Sequence, residues 1–436
     1  IFKAYDIRGK SPEEIDKEMA FKIGKAFGDF KTCDTVLVGY DARETSKNLS
    51  HGLISGLNSS GKKVINIGLC STPMFYFAIN KLGVKGGIMI TASHLGSEYN
   101  GFKLVEEGAI SLTYDSGIGK IGEMVKNIEF VETEPVCEKI DLKKDYVDFV
   151  TKRKIENIGK ISVDTGNGMG GFVIEDVLKR IGIDYSPIYC EIDMSFPNHE
   201  ANPLKKETLE ELRKDVIEGD SVAGFAFDGD ADRLGVLDEK GNFVPADFII
   251  ALISKNILKK GSEKILYDLR SSKSVPETIK KEGGIPIKSR VGHSFISRKM
   301  KKDDIFFGGE LSGHFYFKES FYVESSILTM LNILELLSKT GKKLSELVSE
   351  LKKYSKTDEI NFSVENKVSK LKEIENHYRK AGAKIEKIDG VTVEFKDWWF
   401  NIRPSNTEDL LRLNLEAHGK ELMDEKVREV EKIIKD

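Results

Sequence analysis

The sequence predicts an α/β protein: three related α/β domains built on largely parallel sheets, followed by a smaller C-terminal α+β domain. Two observations lead there. A strand, a loop, a helix, a glycine and a second strand recur three times along the chain, at the lengths of a βαβ unit. From about Thr357 the pattern changes to short strands alternating with two amphipathic helices.

In the first unit the apolar strand TVLVGYD ends at Asp41, a polar helix-like stretch follows, and Gly61 precedes the strand KVINIGL. In the second, ISVD closes at Asp164 and opens into a glycine loop, the helix FVIEDVLKRI, Gly182 and another strand. In the third, KILYD ends at Asp268, and Gly283 and Gly284 stand before the next strand. Three separate units read as three domains rather than one large sheet. The last part runs through EINFSV, the helix SKLKEIENHYRKAG, a turn at Asp389–Gly390, the strands VTVEF and LLRLNLEA, and a charged final helix. The expected segments are 1–135, 136–240, 241–355 and 356–436.

The chain has 436 residues, enough for several domains and a well-buried core. Lys and Arg number 67 against 71 Asp and Glu, a net charge of −4 without long blocks of either sign. That balance disfavours nucleic acid and acidic membrane surfaces as partners. The most apolar helix candidate, SSILTMLNILELL, carries Asn332 and Glu335 and reads as core rather than as a membrane span. Cys33, Cys70, Cys137 and Cys190 are scattered without zinc or disulfide spacing, and no stretch reads as a signal peptide, so a cytoplasmic protein is expected.

The chemistry concentrates in FAFDGDADRLG, residues 225–235. In an extended segment Asp228, Asp230 and Asp232 point to one side, and the small Gly229 and Ala231 let the backbone curl so that the carboxylates converge. Unpaired, three such charges would repel one another strongly; a divalent cation removes the conflict, and oxygen-only ligands favour a hard ion such as Mg²⁺. A solvated turn is the plain rival, but the apolar flanks argue for burial. An EF-hand would place Glu239 at the last ligand position, yet it needs glycine where Arg233 stands and helices where strands are expected.

Ser93 and His94 lie side by side in the loop of GGIMITASHLGSEYNGFKL, residues 86–104. Adjacent residues of an extended loop face apart, so His94 is expected to be a poor base for Ser93. A serine beside a bound cation has another use, because it can carry a phosphoryl group whose oxygen completes the metal shell. One further motif points elsewhere: GNGMGG, with Gly166, Gly168 and Gly171, fits a dinucleotide fingerprint and has Glu191 and Asp193 downstream. An NAD-dependent oxidoreductase would leave the aspartates unexplained. A non-catalytic calcium-binding protein is the other rival.

Taken in order, TASH…YNGFK, FDGDADR, GGELSGH and RPSNTE resemble the four signatures of the α-D-phosphohexomutase family, one in each expected domain, and the likeness runs from KAYDIRG to the last domain. The resemblance implies three α/β domains with mixed sheets plus the smaller α+β domain, arranged around a central cleft. It implies that Ser93 is the phosphoserine, completing a Mg²⁺ site with Asp228, Asp230 and Asp232. Arg233, Tyr5 and Arg8 would line the same site, and Lys103 and His314 would transfer protons. Glu310 and Ser312 would bind sugar hydroxyls, Arg290 stands where relatives often have lysine, and Arg403, Ser405, Asn406 and Thr407 would hold the phosphate that does not react.

The implied reaction interconverts hexose 1-phosphate and hexose 6-phosphate through a hexose 1,6-bisphosphate, with glucose or mannose 1,6-bisphosphate as activator and sugar phosphates as the only partners of a monomer or homodimer. Leu311 stands where relatives acting on glucosamine phosphate tend to have Gln, which favours glucose and mannose; phosphoglucosamine is the alternative. Relatives usually follow the TASH histidine with Asn-Pro. This chain has Leu95-Gly96, which is expected to loosen the loop that presents Ser93.

Overall fold

The computed structural model describes residues 1–156, 158–405 and 410–435. Four separate sheets form in chain order. In the first, the parallel strands Gly86–Ile90, Thr35–Tyr40 and Lys63–Leu69 are extended at one edge by the antiparallel strands Tyr99–Glu106 and Ile7–Lys10. The short strand Glu138–Lys139 still pairs with this sheet. The second sheet sets Ala223–Phe227 between Ile161–Asp164, which runs parallel, and Leu234–Asp238, which runs antiparallel. The third runs Ile285–Ser289, Lys264–Asp268 and Phe307–Gly309 in parallel, then Phe315–Phe317 and Val323–Glu324 antiparallel. The three βαβ units are thus present, and each sheet is mixed because a hairpin closes one edge.

The fourth sheet is wholly antiparallel, with Leu411–Ala417 and Trp398–Pro404 at its centre and the helices Lys367–Lys380 and Lys420–Lys435 packed against it. It has its own core, including Tyr378, Trp398, Phe400, Leu413 and Val430. A second core is shared between domains: Phe75 and Tyr76 of the helix Thr72–Leu82, Phe225 of the second sheet and Leu331 of the helix Ser326–Thr340 belong to one buried cluster. The helix Ser326–Thr340 is interior, as its apolarity predicts, and its polar Glu335 and Asn332 are met by Arg153. Among the described residues no helix is long and apolar enough to cross a membrane.

At the carboxyl end of one strand in each α/β domain stands a buried aspartate: Asp41, Asp164 and Asp268. Each has a basic side chain beside it, Arg43 at 3.1 Å, His199 at 3.0 Å and Arg270 at 2.7 Å. The repeat therefore places a charge at the strand ends, where α/β sheets carry their sites. Burial without these partners would be strongly destabilising.

Candidate active site

Residues 228–233 form the loop of the hairpin that joins Ala223–Phe227 to Leu234–Asp238. The loop winds around its first aspartate: Asp228 Oδ1 accepts from the backbone N–H groups of Asp232 and Arg233, each at 3.0 Å, and Ala231 has φ of 60°. The three carboxylates do converge, with one ligand oxygen from each lying within 4.8 Å of the others. They do so through the curl that the small Gly229 and Ala231 were expected to allow. Gly229 is required by close packing, since a Cβ there would lie 2.3 Å from the carbonyl oxygen of Ser93.

All three aspartates are buried. Lys103 Nζ sits between Asp230 Oδ2 and Asp232 Oδ2, 2.6 Å from each. Thr72 donates to Asp230 Oδ2 at 2.6 Å, and Asp230 Oδ1 has no hydrogen-bond partner among the described residues. Burial, with Asp232 and Asp230 beside it, pushes the Asp228 carboxyl well above the usual range. Burial acts the same way on Asp232, but Lys103, His314 and Arg233 prevail and hold it well below. Lys103 is buried too, and its two carboxylate partners still keep it firmly an ammonium. One lysine spread over crowded carboxylates, with an oxygen left over, is a donor set that fits a hard divalent cation.

Ser93 lies against this cluster from the first domain. Its Oγ donates to Asp228 Oδ2 at 3.0 Å and shares a hydrogen bond of 3.2 Å with His94 Nδ1. The two neighbours do not face apart as an extended loop would make them. Ser93 has φ of 55°, in the left-handed region, and this turn brings the imidazole back over the hydroxyl. Burial, reinforced by Arg233 and Arg8, lowers His94 well below its ordinary value, so the ring is neutral. Thr91 is committed elsewhere, its hydroxyl oxygen accepting the Ser93 N–H at 3.0 Å.

The loop that Leu95-Gly96 was expected to loosen is held by a residue the sequence did not single out. Arg43 Nη1 donates to the carbonyls of Gly96 at 2.6 Å and Tyr99 at 3.0 Å; Nη2 donates to those of Ser93 at 2.9 Å and Leu95 at 2.7 Å. Its Nε is fixed by Asp41, and the guanidinium lies over the Phe196 ring. A fork of donors thus does the restraining that a proline would otherwise do. Arg43→Lys keeps the charge but cannot reach four carbonyls. It is expected to raise amide hydrogen exchange across residues 93–99 by about tenfold or more, the scale of one charge-assisted hydrogen bond lost. Unchanged exchange measured by mass spectrometry would show that the loop orders itself.

The third domain supplies the opposite wall. His314 Nε2 is 3.2 Å from Asp232 Oδ1 and its Nδ1 shares a 2.9 Å hydrogen bond with Ser312. Burial and Arg233 act to lower this histidine, but Asp232 and Glu310 outweigh them and hold it at about 9, so the ring is cationic. Arg233 Nε lies 3.2 Å from the same ring and 3.8 Å from Asp228. Glu310, assigned by resemblance to sugar hydroxyls, has both oxygens engaged internally, by the N–H of Gly292 at 2.8 Å and the Tyr316 hydroxyl at 2.7 Å. Tyr5 of the first domain packs its ring edge-on against His293 and Phe295, and a Cβ on Gly292 would lie 3.2 Å from its hydroxyl. Arg290 stacks over Phe295 at 3.8 Å and acts electrostatically on Tyr5, as do Arg403 and Asp389. Arg8 pairs with Asp6 at 2.6 Å and lies close enough to influence His94.

In the fourth domain Arg403 is the penultimate residue of the strand Trp398–Pro404 and is buried, with Nη2 3.0 Å from Glu359 Oε2. The N–H of Ser405 bonds to the Leu410 carbonyl at 2.8 Å. Asn406 and Thr407 lie outside the described residues. The Asp389–Gly390 turn touches the third domain, Asp389 accepting from the Val291 N–H at 3.2 Å.

The sequence motifs are thus gathered as follows: Ser93, Lys103, the three aspartates, Arg233 and His314 form one contiguous network, while Tyr5, Arg290, Glu310 and Arg403 are linked electrostatically around Tyr5. The glycine-rich loop is absorbed in the same place by packing: Met169 N–H donates to the Gly229 carbonyl at 2.8 Å, and a Cβ on Gly168 would lie 2.8 Å from that oxygen. Gly168 lets it lie against the aspartate loop, while Gly166 takes a left-handed φ of 52° and a Cβ on Gly171 would lie 2.1 Å from the Cys190 carbonyl oxygen, which accounts for the three glycines without a dinucleotide. Glu239 is remote from the aspartates in its bonding and accepts from the Ser345 N–H at 3.1 Å.

Comparison with known proteins agrees over the whole length. Residues 1–132 match the family description "Phosphoglucomutase/phosphomannomutase, alpha/beta/alpha domain I", residues 144–241 domain II, residues 245–354 domain III and residues 359–433 the C-terminal domain. A phosphomannomutase of Methanocaldococcus jannaschii is 41% identical, with 100% of this chain and 97% of that protein covered. One of Vibrio cholerae is 39% identical, with 100% and 98% covered. A crystal structure of a phosphoglucomutase/phosphomannomutase family protein from Burkholderia thailandensis superposes with a TM-score of 0.92 at 29% identity, covering 100% of this chain and 97% of that one. With the four domains matched in order and identity of this level from end to end, the chain belongs to the phosphoglucomutase/phosphomannomutase family and is a phosphohexomutase, an isomerase.

Proposed function

We propose that this phosphohexomutase interconverts the 1- and 6-phosphates of glucose or mannose through a phosphorylated Ser93 and a hexose 1,6-bisphosphate. The observation that carries the reading is the Ser93 hydroxyl, turned by a left-handed backbone onto Asp228 at the rim of a buried three-carboxylate cluster. Asp228, Asp230 and Asp232, with an oxygen on Ser93, are the residues that would hold Mg²⁺. When bound, the ion would neutralise charge that develops on the moving phosphoryl group.

In the first half-reaction the bond from phosphorus to Ser93 Oγ breaks as one forms to the free sugar hydroxyl; the hydroxyl proton leaves to a nearby base and the Ser93 oxygen takes one up. Reversal with the sugar turned end for end leaves the other position phosphorylated. His94, neutral and in contact with Ser93 Oγ, is placed to accept such a proton, while Lys103 and His314, both held as cations, are placed to return one. Arg8 and Arg233 would supply positive charge near the phosphoryl group, and Tyr5, Arg290 and Ser312 would line the sugar. Glu310 can reach hydroxyls only by exchanging bonds it already makes. We place the activity in the cytoplasm, in keeping with four free cysteines, with a monomer or homodimer as the working form and the bisphosphate as activator. The direct test is conversion of glucose 1-phosphate and mannose 1-phosphate with Mg²⁺ and bisphosphate; no turnover of either would reject the reading.

The non-reacting phosphate is the one feature that can occupy the same place in both orientations of the sugar, and Arg403 offers a planar fork for it, with Ser405, Asn406 and Thr407 as further donors. Arg403→Lys keeps the charge and loses the fork, so kcat/KM is expected to fall by about 1.5–3 kcal/mol. Equal losses with glucose and mannose phosphates would support a phosphate anchor. A loss confined to one sugar would mean that Arg403 reads the ring.

A further inference from the structure

Glu359 lies in the segment between the strands Ser355–Lys356 and Ile360–Phe362, and three arginines surround it. Arg403 Nη2 is 3.0 Å from its Oε2, Arg412 Nη1 is 3.1 Å from its Oε1, and Arg270 Nη1 is 3.7 Å from Oε2. Asn414 donates to Oε2 at 3.3 Å. Arg403 and Arg412 are direct cross-strand partners, so their side chains share a face. Arg270 comes from the third domain, where Asp268 anchors it. Burial pushes the Glu359 carboxyl up, but Arg403, Arg270, Asn414 and Arg412 outweigh it and hold the group below its ordinary value, so it is an anion.

Resting on the reading of Arg403 as the phosphate anchor, we propose that Glu359 is a resident counter-anion that competes with the substrate's phosphate for the Arg403 guanidinium and so limits how tightly the anchor holds. A carboxylate and a phosphate ask for the same planar array of N–H donors. With Glu359 in place, an arriving phosphate meets a cluster already partly neutralised, and a departing one leaves Arg403 with a partner at hand. A mutase needs this at the bisphosphate stage, where the anchored phosphate must let go before the sugar can turn. An anchor of unrelieved arginines would hold ground states and transition states alike and slow that step.

The test compares wild type, Glu359→Gln and Arg403→Lys, titrating inorganic phosphate and glucose 6-phosphate by calorimetry and measuring steady-state kinetics. Glu359→Gln removes the charge and keeps the shape. It is expected to tighten phosphate binding by about tenfold, the scale of one unit charge removed from a partly screened site. KM for the sugar phosphate is expected to fall, and kcat to fall with it. A residue that merely held Arg403 in position would give the reverse, with weaker binding and a higher KM, and unchanged or weaker binding overturns the proposal. Should that variant not fold, Glu359→Asp, whose shorter carboxylate cannot span Arg403 and Arg412 together, is read in the same way, with a smaller tightening expected and no tightening overturning it. Arg403→Lys keeps the two ideas apart: if it binds phosphate as wild type does, the anchor reading fails. If it weakens binding while Glu359→Gln does not tighten it, only the role of Glu359 fails.

Discussion

Ser93→Ala is expected to abolish turnover, by a factor on the order of 10⁵ to 10⁶, the scale of removing a covalent nucleophile. The other hydroxyl of its loop is not placed to substitute for it. Thr91 is the only other hydroxyl side chain between Ile90 and Leu95, and it is spent on the Ser93 N–H. The variant should remain folded, because the loop is held through its carbonyls by Arg43 and not through the hydroxyl. Alanine in the left-handed region adds strain of roughly 1 kcal/mol that serine already bears in large part. The measurement is turnover of glucose 1-phosphate together with phosphopeptide mapping of wild-type enzyme exposed to bisphosphate. An active Ser93→Ala enzyme, or phosphate found on Thr91, would overturn the assignment.

What could be read in the sequence was whatever the chain itself writes close together. The aspartates stand on alternate positions because one hairpin loop must deliver all three, and so their convergence is local information. The βαβ units were legible because strand and helix periods differ and glycine punctuates them; Gly61, Gly182 and Gly283 do stand at left-handed positions before the next strand. Contacts between distant segments were not legible. Arg43 sits in an unremarkable DARETS stretch, and nothing local says that it will meet carbonyls fifty residues away. Glu359 follows Asp358 in a short polar stretch with no arginine near it in sequence, and becomes meaningful only when two strands and a neighbouring domain bring arginines to it. The position of His94 was not legible for a related reason: sequence adjacency predicts divergence in an extended loop, and only the left-handed turn at Ser93 reverses it. Lys103 was legible as a residue of the motif but not as the cation that sits between Asp230 and Asp232.

Asp230→Asn is expected to lower turnover by about 10²–10³-fold while leaving the protein folded, and excess chelator should silence wild-type enzyme until Mg²⁺ is restored. The two effects have one origin. Asp230 turns Oδ2 to Thr72 and Lys103 and leaves Oδ1 without a partner, so one oxygen does structural work and the other is available for a cation. An asparagine side chain keeps an oxygen for Thr72 and Lys103 and places an amide where the free oxygen was, which turns an acceptor into a donor that repels a cation. Removing one negative charge from a buried cluster also relieves repulsion: Asp228, which burial and its two neighbours push up, loses one of the charges that oppose its ionisation. The melting temperature of the metal-free variant is therefore expected to equal or exceed that of metal-free wild type, whereas adding Mg²⁺ should raise the wild type and leave the variant nearly unmoved. The opposed responses are what separate a ligand from a scaffold residue, because a scaffold residue would lower the melting temperature with and without the ion. Calorimetric scans with chelator and with Mg²⁺, read beside turnover, make the comparison. Full activity in the variant or in chelator would remove the metal from the reading, and a large loss of stability in the metal-free variant would make Asp230 a structural acid.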